Sequence, residues 1–279
     1  MQFGLAYGIN NSQGKPTTEA AFAILDRAHA AGIELLDSAE GYGDALAVIG
    51  QYHAARAHRF AVISKFKINA ETNLEQAVRQ TITTLQIDAL WGYMYHNFDD
   101  YLAQPNTLTD LVRLKQQGLI ARIGASVYGN EQLEIAIENP HIDFIQLPYN
   151  LLDNKAQRGE LLARAKVKGK IIHIRSVYLQ GLFFKNTDEI SPDSKLYSLK
   201  LPIAALQDLA KAADKPLQQI ALQYALQNNN IDGVLTGVDT LEQLNQNIAL
   251  AENTLPTSFF DTIDTIRVEN IALLNPANW

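Results

Sequence analysis

The chain has 279 residues, of which 47% are hydrophobic and 19% are charged, so it can form one large domain with a substantial core. A formal net charge of −7 argues against a surface for nucleic acid or for anionic membranes. The lack of cysteine excludes disulfides and thiolate metal sites, and no apolar run is long enough to predict a membrane span. The first residues, MQFGLAYGINNSQGK, lack the charged and apolar blocks of a signal peptide, so a cytoplasmic location is expected.

Short apolar runs alternate with longer amphipathic stretches along the chain. The ragged segment 2–7 is counted as a first strand, and further strands are predicted at 33–37, 60–65, 90–95, 120–125, 143–148, 170–175 and 231–236. Helices are predicted at 18–31, 44–57, 72–86, 107–117, 130–138, 155–168, 202–213 and 240–252. Segments 216–229 and 257–271 are expected to add two more helices.

The regular alternation of strand and helix indicates a parallel sheet, since βα units connect strands that run in the same direction. Eight such units favour a (β/α)8 TIM barrel that occupies residues 1–279 as a single domain, with extra helices near the C-terminus. An open, doubly wound sheet is the competing architecture, and it usually has a glycine-rich phosphate turn after its first strand. The segment GYGDAL at 41–46 lacks the third glycine of that turn and follows the second strand, which favours the barrel.

Ionisable side chains follow three consecutive predicted strands, at the ends where TIM barrels carry their chemistry. Asp37 ends the second strand, and Tyr42 lies on the turn that follows it. Lys65 ends the third strand, and His96 follows the fourth. Each residue alone has an ordinary structural explanation, such as a helix cap, a packing contact or a lysine that reaches water. Together, at the same end of neighbouring strands, they are expected to meet in one cavity.

This combination has a chemical logic. A phenol with a pKa near ~10 is a poor acid at neutral pH, but a nearby ammonium group stabilises the phenolate. A carboxylate can hold the ammonium in place, and a histidine can polarise a carbonyl oxygen or relay a proton. Such a set donates a proton to an oxygen that gains negative charge, which fits carbonyl reduction by an external hydride. A barrel lyase or hydrolase that uses Asp37 and His96 is an alternative, and it predicts activity without a nucleotide.

On these residues the chain resembles the aldo-keto reductases. Asp37 and Tyr42 in LLDSAEGYG, Lys65 in VISKF and His96 in YMYHNF look like that family's Asp-Tyr-Lys-His tetrad, in its order and at its strand ends. The resemblance continues through GASVYG, QLPYN, RSVYLQGL and TGVDTLEQLNQN, and therefore covers nearly the whole chain. No metal ligand is implied.

The resemblance implies a barrel that reduces a small-molecule carbonyl substrate with NADPH, and it makes Tyr42 the proton donor. It also implies roles in cofactor binding. Ser126 and Gln146 look like ligands of the nicotinamide carboxamide, and Ser176 looks like a pyrophosphate contact. Gly237, Gln243 and Asn247 look like contacts to the adenosine end. Gln146 can instead be read as a partner of loop backbone, and Gln243 and Asn247 as surface residues of a helix.

The chain departs from the family pattern at three places. Arg175 occupies the position of an aromatic residue that commonly stacks on the nicotinamide, and a guanidinium group can also stack on a flat ring. Asp239 lies where NADPH-binding members usually place a Lys or Arg, so NADH is a possible cofactor as well. The chain starts at MQFGLAYG, so the first strand is expected to be short or truncated. A cofactor-binding regulatory or sensor subunit with little turnover is therefore kept as the rival function.

Overall fold

Strands and helices alternate along the computed structural model of the chain, which describes residues 2–5, 14–68 and 73–279. The strands are β1 (Leu35–Asp37), β2 (Ala61–Phe66), β3 (Gly92–Tyr95), β4 (Ile123–Ser126), β5 (Phe144–Pro148), β6 (Ile171–Arg175) and β7 (Gly233–Val234). The α-helices are α1 (Thr18–Ala30), α2 (Ala45–Ala55), α3 (Leu74–Leu85), α4 (Phe98–Ala103), α5 (Thr107–Gln116), α6 (Asn130–Glu138), α7 (Lys155–Val167), α8 (Lys200–Ala212), α9 (Leu217–Leu226) and α10 (Leu241–Glu252). The strands predicted from residue 33 onward are confirmed in position, as are the nine helices predicted between residues 18 and 252.

By its internal contacts the chain divides into two units. The first unit comprises Met1–Gln146, Lys168–Lys170 and Gly237–Asn245, and the second comprises Leu147–Val167, Ile171–Thr236 and Gln246–Trp279. In the described ranges, none of the helices has the length and apolar character needed to cross a membrane.

The first unit contains parallel strands that follow one another in chain order from β1 to β5. The register pairs Leu36 with Val62, Lys65 with Met94, and Ser126 with Gln146. A doubly wound sheet reverses its strand order at a switch point, whereas barrel strands follow the chain, so this order favours the barrel arrangement. Because the strands are parallel, their carboxyl ends lie at one edge of the sheet.

The second unit contains the last residues of β5 together with β6 and β7, again in chain order. β6 pairs with β7 in parallel, through His173 opposite Gly233 and Ile174 opposite Val234. β7 has only two residues and is shorter than the predicted strand at 231–236.

Helix α3 shows how the sequence produces these elements in the first unit. Asn73 caps its first turn by accepting a hydrogen bond from the backbone N–H of Gln76 at 3.0 Å. Its buried residues recur at helical spacing, and they are Leu74, Val78, Thr81 and Leu85. One stripe of the helix is therefore turned inward while its polar residues face outward.

The predicted first strand is wrong over the residues that the structure describes. Gln2–Gly4 form a 3-10 turn, and residues 6 and 7 lie outside the described ranges. Glycine is a poor strand former, and here it allows a close backbone approach. A Cβ atom at Gly4 would lie 1.8 Å from the carbonyl oxygen of Tyr42. The turn therefore packs directly against the loop that carries Tyr42.

The predicted C-terminal helix over 257–271 is also wrong. The segment and the residues after it form short 3-10 turns at Thr257–Phe260, Ile263–Thr265, Ile271–Leu274 and Pro276–Asn278. Threonine, isoleucine and valine are weak helix formers, and they are frequent in this segment. In addition, the side-chain amide of Asn154 donates to the carbonyl oxygens of Ile263 and Ile266, both at 3.1 Å, which holds the segment in a non-helical path. By contrast, the helix predicted over 216–229 is confirmed as α9.

Candidate active site

The loop after β1 is fixed to β2 by main-chain hydrogen bonds. The N–H of Ser38 donates to Ile63 at 2.9 Å, and the N–H of Glu40 donates to the carbonyl of Lys65 at 3.0 Å. The N–H of Tyr42 then donates to Ala39 at 3.1 Å and closes a tight turn. The loop therefore continues the parallel pairing past the end of the strand and brings Tyr42 next to the end of β2.

Gly43 completes this turn with a φ of +58°, a conformation that favours glycine. A Cβ atom at this position would also lie 2.3 Å from the carbonyl oxygen of Gly4. Glycine at position 43 is therefore required both for the backbone conformation and for the close approach of the N-terminal turn.

Asp37 and Lys65 form a buried ion pair at the ends of β1 and β2. The ammonium group of Lys65 donates to Asp37 Oδ1 and, at 3.4 Å, to the carbonyl of Ser38. The side chains of Lys65 and Asp37 are only 3% and 16% exposed. Burial raises the pKa of Asp37, but the charge of Lys65 and the hydrogen bonds from Lys65 and Gln146 outweigh it, so the pKa lies below its ordinary value. The carboxylate therefore stays ionised and holds the ammonium group in place.

Tyr42 lies between this ion pair and His96. The Nζ atom of Lys65 is 5.2 Å from the centre of the Tyr42 ring, which is within the range of a cation–π contact. The rings of Tyr42 and His96 meet edge to face, with centroids 5.7 Å apart and planes at 81°. The backbone N–H of His96 donates to Phe66 at 2.9 Å, which fixes the start of its loop to β2. The structure thus brings Asp37, Tyr42, Lys65 and His96 together.

Ser126, at the end of β4, pairs with Gln146 in the middle of β5, and both are buried. The side-chain amide of Gln146 donates to Asp37 Oδ2 at 2.8 Å. The sequence suggested a cofactor ligand at Gln146 but gave no signal for this contact, because 109 positions of the chain separate the two residues. Gln146 therefore contacts the cluster of four ionisable residues through the carboxylate of Asp37.

Arg175 and Ser176, in the second unit, lie at the end of β6. Ser176 has a φ of +61°, which is uncommon for a residue with a side chain. The amide of Asn150 donates to the carbonyl of Ser176 at 3.2 Å and supports this conformation. Asn247 accepts a hydrogen bond from the hydroxyl of Tyr178 at 2.8 Å. Ser176 is therefore held in a sparsely populated backbone conformation.

Gly237, Asp239 and Gln243, in the first unit, surround the start of α10. The side-chain carbonyl of Gln243 accepts a hydrogen bond from the backbone N–H of Asp239 at 2.7 Å. The N–H of Gln243 in turn donates to the hydroxyl of Thr240 at 3.2 Å, which caps the helix. Burial raises the pKa of the Asp239 carboxyl. Asp239 and Gln243 are therefore held together, and Gly237 is exposed.

Sequence reasoning overlooked Glu40 and Tyr93. The hydroxyl of Tyr93 donates to the Glu40 carboxyl, which lies two positions before Tyr42. The sequence signal that could have pointed to Glu40 was its position inside LLDSAEGYG. A side chain in the loop after β1 lies close to the neighbouring strands.

Comparison with known proteins gives a consistent result. The model of a family described as the aldo/keto reductase family matches residues 1–268. The NADH-specific methylglyoxal reductase of Escherichia coli (strain K12) is 24% identical over 265 residues, which covers 80% of this chain and 79% of that protein.

Two solved structures are also similar. The holo form of the aldo-keto reductase AKR11C1 from Bacillus halodurans has a TM-score of 0.74 and 20% identity, and the match covers 91% of both chains. An aldo-keto reductase from Klebsiella pneumoniae in complex with NADPH has a TM-score of 0.68 and 19% identity, over 88% of this chain and 84% of that one. At these identities the structural matches show a shared fold.

Proposed function

Because the chain belongs to the aldo/keto reductase family, we propose that it reduces a small aldehyde or ketone to the alcohol, with Tyr42 as the proton donor. The family consists of NAD(P)H-dependent oxidoreductases, so the chain is an enzyme of that type. The observation that carries the proposal is the buried Asp37–Lys65 ion pair beside the ring of Tyr42. In the reaction, hydride adds to the carbonyl carbon and a proton adds to the carbonyl oxygen.

The chain's own residues supply the proton. Tyr42 donates it to the oxygen as negative charge develops there, and the positive charge of Lys65 stabilises the phenolate that remains. Asp37 keeps Lys65 charged and in place. The ring of His96 lies beside that of Tyr42, from where it can donate a second hydrogen bond to the same oxygen.

The buried side chains of Ser126 and Gln146 fit a nicotinamide. Ser126 offers a hydroxyl and Gln146 an amide, which together can pair with a carboxamide through both donor and acceptor atoms. When bound, the nicotinamide supplies the hydride. Further binding roles are part of the proposal: Arg175 at the nicotinamide, Ser176 at the pyrophosphate, and Gly237, Asp239, Gln243 and Asn247 at the adenosine end.

We propose NADPH as the cofactor and keep NADH open because of Asp239. The matched Klebsiella structure contains NADPH, and the matched Escherichia coli enzyme is named as NADH-specific, so both choices occur among similar proteins. The chain has the fold of its family, the (β/α)8 barrel, and its strands are parallel and in chain order. A closed barrel of eight strands as one domain over residues 1–279, and a cytoplasmic location, complete the proposal.

Turnover of a broad aldehyde panel with NADPH or with NADH tests the proposal, read as loss of the reduced nicotinamide. We expect steady reduction of at least one aldehyde and no product without nucleotide. A protein that binds nucleotide with negligible steady-state rate would instead be a sensor. Conversion of a substrate without any nucleotide would indicate a lyase or hydrolase.

A further inference from the structure

We propose that Glu40, with Tyr93 as its partner, is a positioning residue that holds Tyr42 in place from the far side of the sheet. The inference rests on the proposed function, because it assumes that Tyr42 donates the proton. Glu40 touches none of the reacting atoms in this view, and it acts only through the loop that it shares with Tyr42.

The side chain of Glu40 is tied to the neighbouring strand β3 of the first unit. Its Oε1 atom accepts a hydrogen bond from the hydroxyl of Tyr93. Glu40 is exposed as a residue, whereas Tyr93 is 0% exposed, so this hydrogen bond joins the loop to a buried residue of the sheet. The loop after β1 is thereby fastened to the sheet through a side chain as well as through its backbone.

The register shows that this attachment lies on the side of the sheet opposite to Lys65. Tyr93 pairs with Ser64, whereas Lys65 pairs with Met94. Since successive side chains of a strand alternate between the two faces, Tyr93 and Lys65 point to opposite faces. The Tyr93 ring packs on Phe66, with centroids 4.6 Å apart, which fixes the position of its hydroxyl. Glu40 therefore clamps the loop from behind while Lys65 meets Tyr42 in front.

The clamp is close to the proton donor. Only Gly41 separates Glu40 from Tyr42, so the two Cα atoms are at most about 7 Å apart. The backbone of Glu40 is held by Lys65 and that of Tyr42 by Ala39, but the glycine on each side of Tyr42 gives the segment no side chain that could anchor it. A side-chain anchor next to this segment limits how far Tyr42 moves. A displacement of a reacting group by about 1 Å can lower the rate by up to ~10²-fold.

The anchor needs a hydrogen-bond acceptor at position 40. Burial raises the pKa of Glu40, and the hydrogen bond from the hydroxyl of Tyr93 opposes that rise. A glutamine at this position can still accept from the Tyr93 hydroxyl, whereas an alanine cannot.

The experiment compares Glu40→Ala, Glu40→Gln and Tyr93→Phe with the matched control Tyr95→Phe. Tyr95 lies two positions further along β3 on the same face and is also 0% exposed, but its hydroxyl pairs with Thr107. For each variant, kcat and KM for a reducible aldehyde, the Kd for NADPH and the melting temperature are measured.

We expect Glu40→Ala to lower kcat by on the order of ~10-fold or more, with the Kd for NADPH changed less than about twofold. Tyr93→Phe should lower kcat in the same way, and Glu40→Gln should restore most of it. Tyr95→Phe should lower the melting temperature about as much as Tyr93→Phe while leaving kcat unchanged. If Glu40→Ala does not fold, the comparison of kcat between Tyr93→Phe and Tyr95→Phe still tests the inference.

A normal kcat in Tyr93→Phe, or equal losses of kcat in Tyr93→Phe and Tyr95→Phe, would overturn the inference. The variant Tyr42→Phe separates this failure from failure of the proposed function. If Tyr42→Phe is inactive while Glu40→Ala and Tyr93→Phe are normal, only the clamp is wrong. If Tyr42→Phe turns over normally, Tyr42 is not the proton donor, and Glu40 then has no catalytic residue to position.

Discussion

The amide of Gln146 donates to Asp37 Oδ2 at 2.8 Å, while Asp37 Oδ1 accepts from Lys65. One carboxylate thus joins a predicted ligand of the nicotinamide to the ammonium group beside Tyr42. A change at Gln146 is therefore expected to reach the proton-donating side of the site as well as the cofactor side.

Gln146→Met removes one of the hydrogen bonds that keep the pKa of Asp37 low. We expect that pKa to rise, so that Asp37 becomes protonated at a higher pH and the acid side of the kcat profile moves to higher pH. Ser126→Ala is the matched control, since it removes the other predicted carboxamide ligand from the neighbouring strand. Both variants should bind NADPH more weakly. An acid limb that is identical in Gln146→Met and wild type would contradict the link through Asp37.

Lys65→Met tests the ammonium group itself. The substitution removes the positive charge that lies 5.2 Å from the Tyr42 ring, and it leaves the Asp37 carboxylate without its ion-pair partner. We expect a loss of kcat on the order of ~10²-fold and a shifted pH–rate profile for reduction. Asp37→Asn should have a milder effect, because it loosens Lys65 but leaves the positive charge of Lys65 in the site. An unchanged pH profile in Lys65→Met would show that Lys65, at the end of β2, does not influence the ionisation of Tyr42 after β1.

Asp239→Arg tests the cofactor preference. A carboxylate near a 2′-phosphate is repulsive, whereas it can accept a hydrogen bond from a 2′-hydroxyl. The arginine should tighten NADPH binding by roughly 1–3 kcal/mol and change NADH binding little. Asp261→Arg, at an exposed site in the second unit, changes the net charge equally and is the control. Strong wild-type selectivity for NADPH that the Asp239 substitution does not alter would show that Asp239 has no part in the choice.

The buried, hydrogen-bonded environment of His53 predicts how the free energy of unfolding of the first unit depends on pH. Its Nδ1–H donates to the carbonyl of Leu85 at 2.7 Å, and its Nε2 accepts from the N–H of Phe60 at 3.1 Å, a pattern that only the neutral ring satisfies. Burial lowers the pKa of His53, and burial also lowers that of His58. The unfolded chain therefore binds more protons at these residues than the folded one as the pH falls below about 6.5.

Stability from the two histidines is complete above that pH and is lost progressively below it. Chemical denaturation between neutral and acid pH should thus give a falling free energy of unfolding. His53→Gln should be less stable than wild type at neutral pH, yet it should lose less stability on acidification. His141→Gln, at an exposed position, should follow the wild-type curve. A His53→Gln curve parallel to that of wild type would show that His53 does not titrate in this range.

Local patterns predicted most of the secondary structure, and the long-range contacts that they predicted are those among the residues at the strand ends. The six residues of α4 are too few to show a helical period, so that helix was not expected, although Asn97 caps it through the N–H of Asp99 at 3.2 Å. The strand expected at 2–7 and the helix expected at 257–271 depended on apolar content alone, and tertiary contacts at Gly4 and Asn154 decide those segments instead.

The four residues of the predicted tetrad were found because parallel strands place their carboxyl ends together, which is a rule of topology. The contacts of Gln146 with Asp37 and of Glu40 with Tyr93 depend on side-chain direction and packing across 109 and 53 positions of the chain. Neither propensity nor periodicity carries that information.

The most direct test replaces Tyr42 with phenylalanine, which removes the hydroxyl and keeps the ring. The kcat for aldehyde reduction and the Kd for NADPH are measured beside Tyr95→Phe, the same substitution at a hydroxyl that pairs with Thr107. We expect Tyr42→Phe to lose on the order of ~10²-fold or more in kcat with nearly unchanged Kd, because the hydroxyl acts only on charge that develops in the transition state. Near-normal turnover in Tyr42→Phe would contradict its role as the proton donor.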